Sequence, residues 1–587
     1  MSLLSKYWKP FASLAFGLAV FLFWWLAYPM MTAYQEQYQL FMLDSQYISQ
    51  LLSVPDGLAH CIGEYLVQLY INHALGALVL AVVFVLMQWL VWLLMKAVRG
   101  AEAATHYALS FLPSLLLCLM MADESVLLTF PIAMLAGLAA MWLYELIVDG
   151  KSLLYLIIYV IVGLPLLYWM AGPVVLMTAA YIAIRQLTAG HNRGRALAVG
   201  LLAVVLAIGC ILMSSWWLPY PLERLFQGLD YYRFVEVYFY FFAVLMVVCV
   251  LLPVLAKWLP VPLGSRQKQW AGMGEAVVLA GLFMLLRPMF YDARKYEVME
   301  YDYMVRCNNW SAIIAKAEKK TPDLPMSVCA NNLALGMKGL LGERAFDFYQ
   351  NGMQGLLPGF ERNFSTIMLT GEVYWQLGLV NTSQRFAFEA MEAIPNYAKS
   401  CRAVKRLAES NLVNGQYKVA RKYLLMLEKT LSYSKWARRT MLLLGDEKAI
   451  NAHPVYGRLR QLRLDDDFLF SEQELDKVMG QLVMKNIKNG LALQYLLLSP
   501  LLERDVNKFM NYMTFVDGLK IGYCPRSCQE AIVFAFAQRN QQPPAGYINQ
   551  LVLSNFADFA RTASAGANAA GLERFRNTTW YYLTVGR

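Results

Sequence analysis

The sequence predicts an all-α protein: a polytopic transmembrane helix bundle of about nine spans, then a soluble α-helical repeat domain. Three observations carry this expectation. Charge divides unevenly along the chain, apolar runs of about 20 residues are confined to the first half, and the second half shows amphipathic helical periodicity with almost no alternating runs. Of 587 residues, 58% are hydrophobic and 16% charged, whereas a soluble domain carries about 25% charged residues. Mean hydropathy is +0.41. Residues 1–290 hold 14 Lys and Arg with 13 Asp and Glu; residues 291–587 hold 37 and 28. This composition excludes a fully soluble protein, a disordered chain and a disulfide-rich miniprotein. Nearly all of the +10 net charge lies in the second half, which favours acidic partners such as phosphates or anionic headgroups.

The spans are expected at 11–31, 74–95, 104–122, 125–144, 152–170, 172–189, 196–218, 234–256 and 271–290. Gly172-Pro173 should turn the fifth into the sixth as a tight hairpin, and Pro219 and Pro221 should end the seventh. Eleven basic residues fall on one side of that arrangement: Lys6, Lys9, Lys96, Arg99, Lys151, Arg185, Arg193, Arg195, Lys257, Arg266 and Lys268. The opposite side, before the last span ends, has Arg224 and Arg233 alone. The positive-inside rule then sets the N-terminus in the cytoplasm, and an odd span count sends the second half outside. A bacterial inner membrane with a periplasmic C-terminal domain follows. The first span reads as a retained anchor, because its apolar core runs on through Tyr28-Pro29-Met30-Met31 without an A-x-A cleavage site. Cys524 and Cys528 lie in the compartment where pairing is allowed; they read as a disulfide or as two buried thiols.

Beyond residue 290 the domains are read as helical repeats over 291–450 and a further helical region over 451–587. Gly371, Tyr374, Gly378, Ala390 and Pro395 follow the spacing of a tetratricopeptide repeat (TPR), with Ala334 and Ala408 in the slot of Gly371. Less regular helices are expected at 472–485, 490–502, 505–518 and 527–538, and a mobile low-complexity tail at 562–572. Asp465-Asp466-Asp467 reads as an exposed acidic turn.

No nucleotide-binding, metalloprotease or nucleophile-elbow motif is present. The chemistry-bearing region is therefore the outer loop 32–73, too long for a helix connector. It holds Glu36, Asp44, Asp56, Glu64, His60 and His73 with no cation to pair the acids. Two amphipathic helices in the interface plane are expected there, on Leu40, Leu43 and Ile48, and on Leu58, Ile62 and Leu69. Unpaired acids at low dielectric point to a general base or a metal-assisting carboxylate; a solvated loop is the plainer reading. His60 and Glu64, four apart, share a helix face but make at most half a metal site.

In this architecture, with Asp44-Ser45 in the first outer loop, the chain resembles membrane glycosyltransferases of the GT-C class, one branch of which carries tetratricopeptide repeats. It is also similar to Bacteroidota membrane proteins that join Trp- and Tyr-rich spans to a repeat tail. In the GT-C branch the loop stretch is Asp-Ser-Gly-Glu, whereas here it is Asp44-Ser45-Gln46-Tyr47, sharing two positions. The resemblance implies sugar transfer from a polyprenyl-phosphate donor at the outer leaflet, with Asp44, or Glu36, as catalytic base. Donor phosphate requires cations, and Arg224, Arg233 and Arg287 are the candidates, their alternative role being to anchor helix ends. Asp123 and Glu124 form a supporting acid pair able to assist Asp44 or hold a divalent cation; a polar turn explains them equally. Glu275 is expected to snorkel or pair with Lys268. No cofactor is otherwise called for. The partners expected are membrane lipid, a polyprenyl-phosphate-linked sugar, and a protein or glycan on the repeats, without nucleic acid. The competing expectation is a non-catalytic, membrane-anchored TPR scaffold for envelope assembly; a transporter has less support, with no inverted repeat and few intramembrane charges.

Overall fold

The computed structural model describes residues 3–148, 153–188, 193–233, 239–260, 265–359, 364–394, 398–465, 474–544, 546, 548–566 and 570–586. It is 78% helix. Among the described residues there is no strand, only a single bridge between Val126 and Tyr232. The chain divides into two compact units: Met1–Ala293 with Glu428–Lys435, and Arg294–Leu427 with Trp436–Arg587.

Among the described residues of the first unit, seven helices are long and apolar enough to cross a membrane: Trp8–Ala27, His73–Arg99, Thr129–Ile147, Leu153–Thr188, Arg193–Ser214, Tyr240–Trp258 and Trp270–Phe290. The last buries only 6% of its residues within the protein. Val277, Val278 and Leu285 stand exposed on it, an arrangement that suits lipid rather than water. Two expectations change in detail. The first apolar run stops at Ala27: Tyr28 leaves helical geometry and Pro29 opens a new helix, Pro29–Gln37, at the position where its missing N–H costs nothing. The predicted span 104–122 becomes a 3-10 segment, Gly100–Phe111, kinked at His106, followed by Leu112–Met120; its apolar part, Thr105–Met120, is shorter than a full span. Leu153–Thr188 is broken at Gly172, whose φ of 66° only glycine adopts freely. A Cβ there would stand 2.9 Å from the Asp56 Cβ. The Gly172-Pro173 turn is therefore built into the packing.

Basic residues collect at one end of this unit. Arg99 donates to the carbonyls of Ala256 and Leu259, Lys257 donates to the Thr188 carbonyl at 3.2 Å, and the Lys9 ammonium lies 4.5 Å over Trp92. Glu275 pairs with His106, which the 3-10 segment carries against the last span; the expected pairing with Lys268 lies outside the described residues. Lys151 and the side chains of Lys6, Arg266 and Lys268 lie outside what is described.

The second unit consists of helices joined by short turns. Phe364–Leu377 and Val380–Glu392 pack through Gly371, where a Cβ would lie 3.2 Å from the Phe386 Cβ. The Ser383 hydroxyl donates to the Gly371 carbonyl at 2.9 Å, and Tyr374 stacks on Phe386 at 5.2 Å. Ala334 and Ala408 are fully buried on their own helices. Helices Leu475–Lys485, Gly490–Leu502, Val506–Gly518 and Arg526–Gln538 follow the expected positions within three residues. Cys524 and Cys528 are free thiols. The expected mobile tail is ordered at both ends: helix Gln550–Ser564 runs into it, and Leu572 joins a core with Trp580 and Phe559. Residues 567–569, Pro395, Asp466 and Asp467 lie outside the described residues, while Asp465 pairs with Lys485 at 2.7 Å.

Candidate functional site

The loop after the first apolar helix builds the candidate site from three pieces. Pro29–Gln37 is polar by sequence, yet Met31 to Gln37 are all buried. A polar helix without an exposed face needs partners for its side chains. Gln35 donates to the Val126 carbonyl at 3.0 Å, and Glu36 accepts from the Tyr433 hydroxyl at 2.9 Å. Next come the short helices Ser45–Leu51 and Gly57–Val67, where the periodicity predicts two. The first is shorter than predicted, since Leu40 and Leu43 precede it, and the second ends before Leu69, which lies in the 3-10 turn Gln68–Ile71. The third piece is the strap 229–233. The Leu127 N–H donates to the Tyr231 carbonyl at 3.0 Å and the Arg233 N–H to the Ser125 carbonyl at 2.8 Å.

Asp44 is not the unpaired acid that the loop sequence suggests. It caps helix Ser45–Leu51, accepting from the N–H groups of Gln46 and Tyr47, and it pairs with Lys429. The hydrogen bond from Lys429, reinforced by the Tyr47 N–H, holds its carboxyl below the usual aspartate range. An acid so stabilised in its charged form is a weak proton acceptor. Lys429 belongs to the segment Glu428–Lys435, which packs within the first unit: its carbonyl accepts from the Leu43 N–H at 2.7 Å, and Ser432 donates to the Gln68 carbonyl at 2.8 Å.

A second cluster surrounds His60. Its Nδ1 lies 2.9 Å from Asp230 and its Nε2 3.2 Å from Glu64, which also accepts from the Tyr47 hydroxyl at 2.6 Å. Burial opposes charge on the imidazole, but Asp230 and Glu64 outweigh it and hold the pKa well above its ordinary value, so His60 is an imidazolium. Asp56, fully buried in left-handed geometry, accepts from the Leu229 N–H at 3.0 Å through one carboxylate oxygen; the other has no partner. Burial first, and the charge of Asp230 second, push Asp56 up to about 8, so it holds a proton at neutral pH. The sequence displays His60 and Glu64 on one face, but nothing local signals Asp230. Among the described residues no group of three or more His, Cys, Asp or Glu is arranged to hold a metal.

The remaining candidates are dispersed among different neighbours. Asp123 caps its own turn at the Ser125 N–H and accepts from the Tyr232 hydroxyl at 3.2 Å, with Glu124 half-buried beside it. This is the polar-turn role, tied to the strap. Arg224 donates to the Leu229 carbonyl at 3.1 Å, and Arg287 lies 5.3 Å over Tyr291. Arg233 is the buried one, its guanidinium 3.4 Å from the Tyr38 ring centre, two residues along from Glu36. Gly57–Val67 also has an apolar face: Leu58, Ala59 and Ile62 line a groove of about 340 Å3 with Leu86, Trp89 and Ile132 of the apolar helices. Sequence reasoning missed Tyr433 and Lys429.

A profile for a family of unknown function, DUF6057, matches residues 6–586, and the chain belongs to that family. No curated protein and no solved structure matches it.

Proposed function

We propose that the chain is a membrane-embedded glycosyltransferase of GT-C type, using a polyprenyl-phosphate-linked sugar at the outer leaflet with Glu36 as general base. The observation that carries this reading is the buried polar helix Pro29–Gln37, directly after the first apolar helix, with Glu36 hydrogen-bonded to Tyr433. Of the two acids expected to serve, Glu36 is the better base, because Asp44 is committed to Lys429 and to a helix cap. The acceptor hydroxyl would take the place of the Tyr433 hydroxyl on Glu36. Its oxygen bonds to the anomeric carbon as the bond from that carbon to the phosphate oxygen breaks; the proton passes to Glu36 and the polyprenyl phosphate leaves. Arg233 is suited to the departing phosphate, since a guanidinium neutralises it through paired hydrogen bonds. The apolar groove on the far side of the His60 helix suits an isoprenoid tail. His60, Asp230 and Asp56 hold the strap that carries Arg233.

The sidedness belongs to the same proposal. Counting Thr105–Met120 as a pass, and Leu153–Thr188 as two passes divided at Gly172, gives nine. An odd number separates the two ends of the chain, and the basic residues near the N-terminus support a cytoplasmic N-terminus, with TPR-like repeats in the periplasm recruiting the acceptor. The test is release of polyprenyl phosphate by the full chain in nanodiscs, over a panel of polyprenyl-phosphate sugars. Glu36→Gln should remove it, by about 10²–10⁴-fold, and Asp44→Asn should retain it. Full turnover by Glu36→Gln overturns the reading. The membrane-anchored scaffold then takes its place.

A further inference from the structure

The second unit contains a cleft of about 740 Å3, within the range of ligand pockets. Five basic side chains line it, Arg306, Lys405, Arg406, Arg439 and Arg458, against two carboxylates, Glu372 and Glu409. Arg406 is satisfied by the wall itself, 2.5 Å from Glu372, 3.2 Å from Glu409 and 3.9 Å over the Trp375 ring. Lys405 lies 5.1 Å over Trp436 and 3.9 Å from Glu409.

Arg458 is different. Its guanidinium donates to the carbonyl and the side-chain oxygen of Gln376, at 3.2 and 2.7 Å, and among the described residues it pairs with no carboxylate. Burial lowers its pKa with no opposing charge. A half-buried cation beside a neutral amide has its charge only partly compensated, and an anion in the cleft would complete that compensation. A guanidinium presents a planar fork that matches phosphate or carboxylate. Around it the lining is amphipathic, with Trp310 and with Tyr456 stacked on His453 at 4.2 Å. Because Arg406 and Lys405 lie against the two carboxylates, the lining suits a ligand with one anionic group and several hydroxyls rather than a string of anionic groups.

We propose that this cleft binds a saccharide carrying a single phosphate or carboxylate group, its oxyanion on Arg458 and its hydroxyls on Gln376 and Glu409. Naming that saccharide as the acceptor rests on the transferase reading, whereas the binding itself does not.

Calorimetric titration of the full chain in detergent tests it, with glucose 6-phosphate and galacturonic acid as probes and glucose, inorganic phosphate and a hexaglutamate peptide as controls. The two anionic sugars distinguish phosphate from carboxylate recognition. Saturable binding of at least one is expected, about tenfold or more tighter than glucose or phosphate, the worth of one charge-assisted hydrogen bond. Arg458→Gln should lose that margin while its melting temperature holds or rises, which a structural arginine would not allow. Should that variant fail to fold, Arg439→Gln at the exposed mouth should weaken binding several-fold. Glu36→Gln should bind as the parent does, so failure of the transferase leaves this result standing. Preferential binding of hexaglutamate, no binding of either anionic sugar, or unchanged affinity in a folded Arg458→Gln protein overturns the proposal.

Discussion

The outer-loop cluster of the first unit and the cleft of the second both concentrate charge, and they treat it oppositely. In the loop the charges have local partners: Asp44 has Lys429, and His60 has Asp230 and Glu64. Asp56, which burial first and the neighbouring Asp230 charge second disfavour as a carboxylate, takes up a proton instead. In the cleft, Arg458 is half-buried against a neutral amide. Matched charges fix a backbone path, here the strap 229–233 against the His60 helix. An unmatched cation is retained at a cost to stability and marks a place for a ligand. Glu36 lies between these extremes, buried and hydrogen-bonded to a hydroxyl that an acceptor can replace.

The largest expected effect is the loss of transfer in Glu36→Gln set against its retention in Asp44→Asn, since Asp44 is committed to Lys429 and a helix cap whereas the Glu36 carboxylate accepts from a hydroxyl. Equal losses in both variants would erase the distinction between matched and exchangeable acids. Loss of saccharide affinity in Arg458→Gln, without loss of stability, comes next.

Asp56→Asn sharpens the comparison through pH. In the unfolded chain Asp56 titrates near 4, whereas in the folded protein it titrates at about 8. The folded state therefore binds the proton more tightly, and stability should fall as pH rises through that window. His60 adds a decline of the same sign: its contribution is full below about 6.5 and is lost as pH rises through its raised folded value. Asparagine tolerates the left-handed geometry and keeps the acceptor for the Leu229 N–H. Melting temperatures between about pH 5 and pH 9 should then slope less steeply downward in Asp56→Asn than in the parent. An unchanged slope would show that Asp56 does not hold the extra proton. Gly371→Val tests packing alone, because its branched side chain meets Phe386; a destabilisation of about 1–3 kcal/mol is expected from denaturant unfolding. The smallest effect belongs to Lys429→Ala, an exposed pair with Asp44, which should leave melting nearly unchanged.

Much of the fold was legible because it follows local periodicity. Gly490–Leu502 lies where the sequence predicts it, and Gly371 meets Phe386 as the small-residue slot requires. The break at Tyr28 was not legible, because the apolar run continues across it into Met30 and Met31. The site was legible in its members but not in its pairings. Asp44 and Lys429 are 385 residues apart, and Asp230 reaches His60 from a different loop. The acids therefore looked unpaired. Arg458 carries no motif at all; it stands out only once its half-buried place in the cleft and the absence of a carboxylate partner among the described residues are seen together.

The most direct test of the catalytic claim is single-turnover release of polyprenyl phosphate from full-length protein in nanodiscs, comparing parent and Glu36→Gln at matched melting temperature. A loss of about a hundredfold or more in the chemical step is expected when the base is removed. An unaltered rate in a folded Glu36→Gln protein would contradict it.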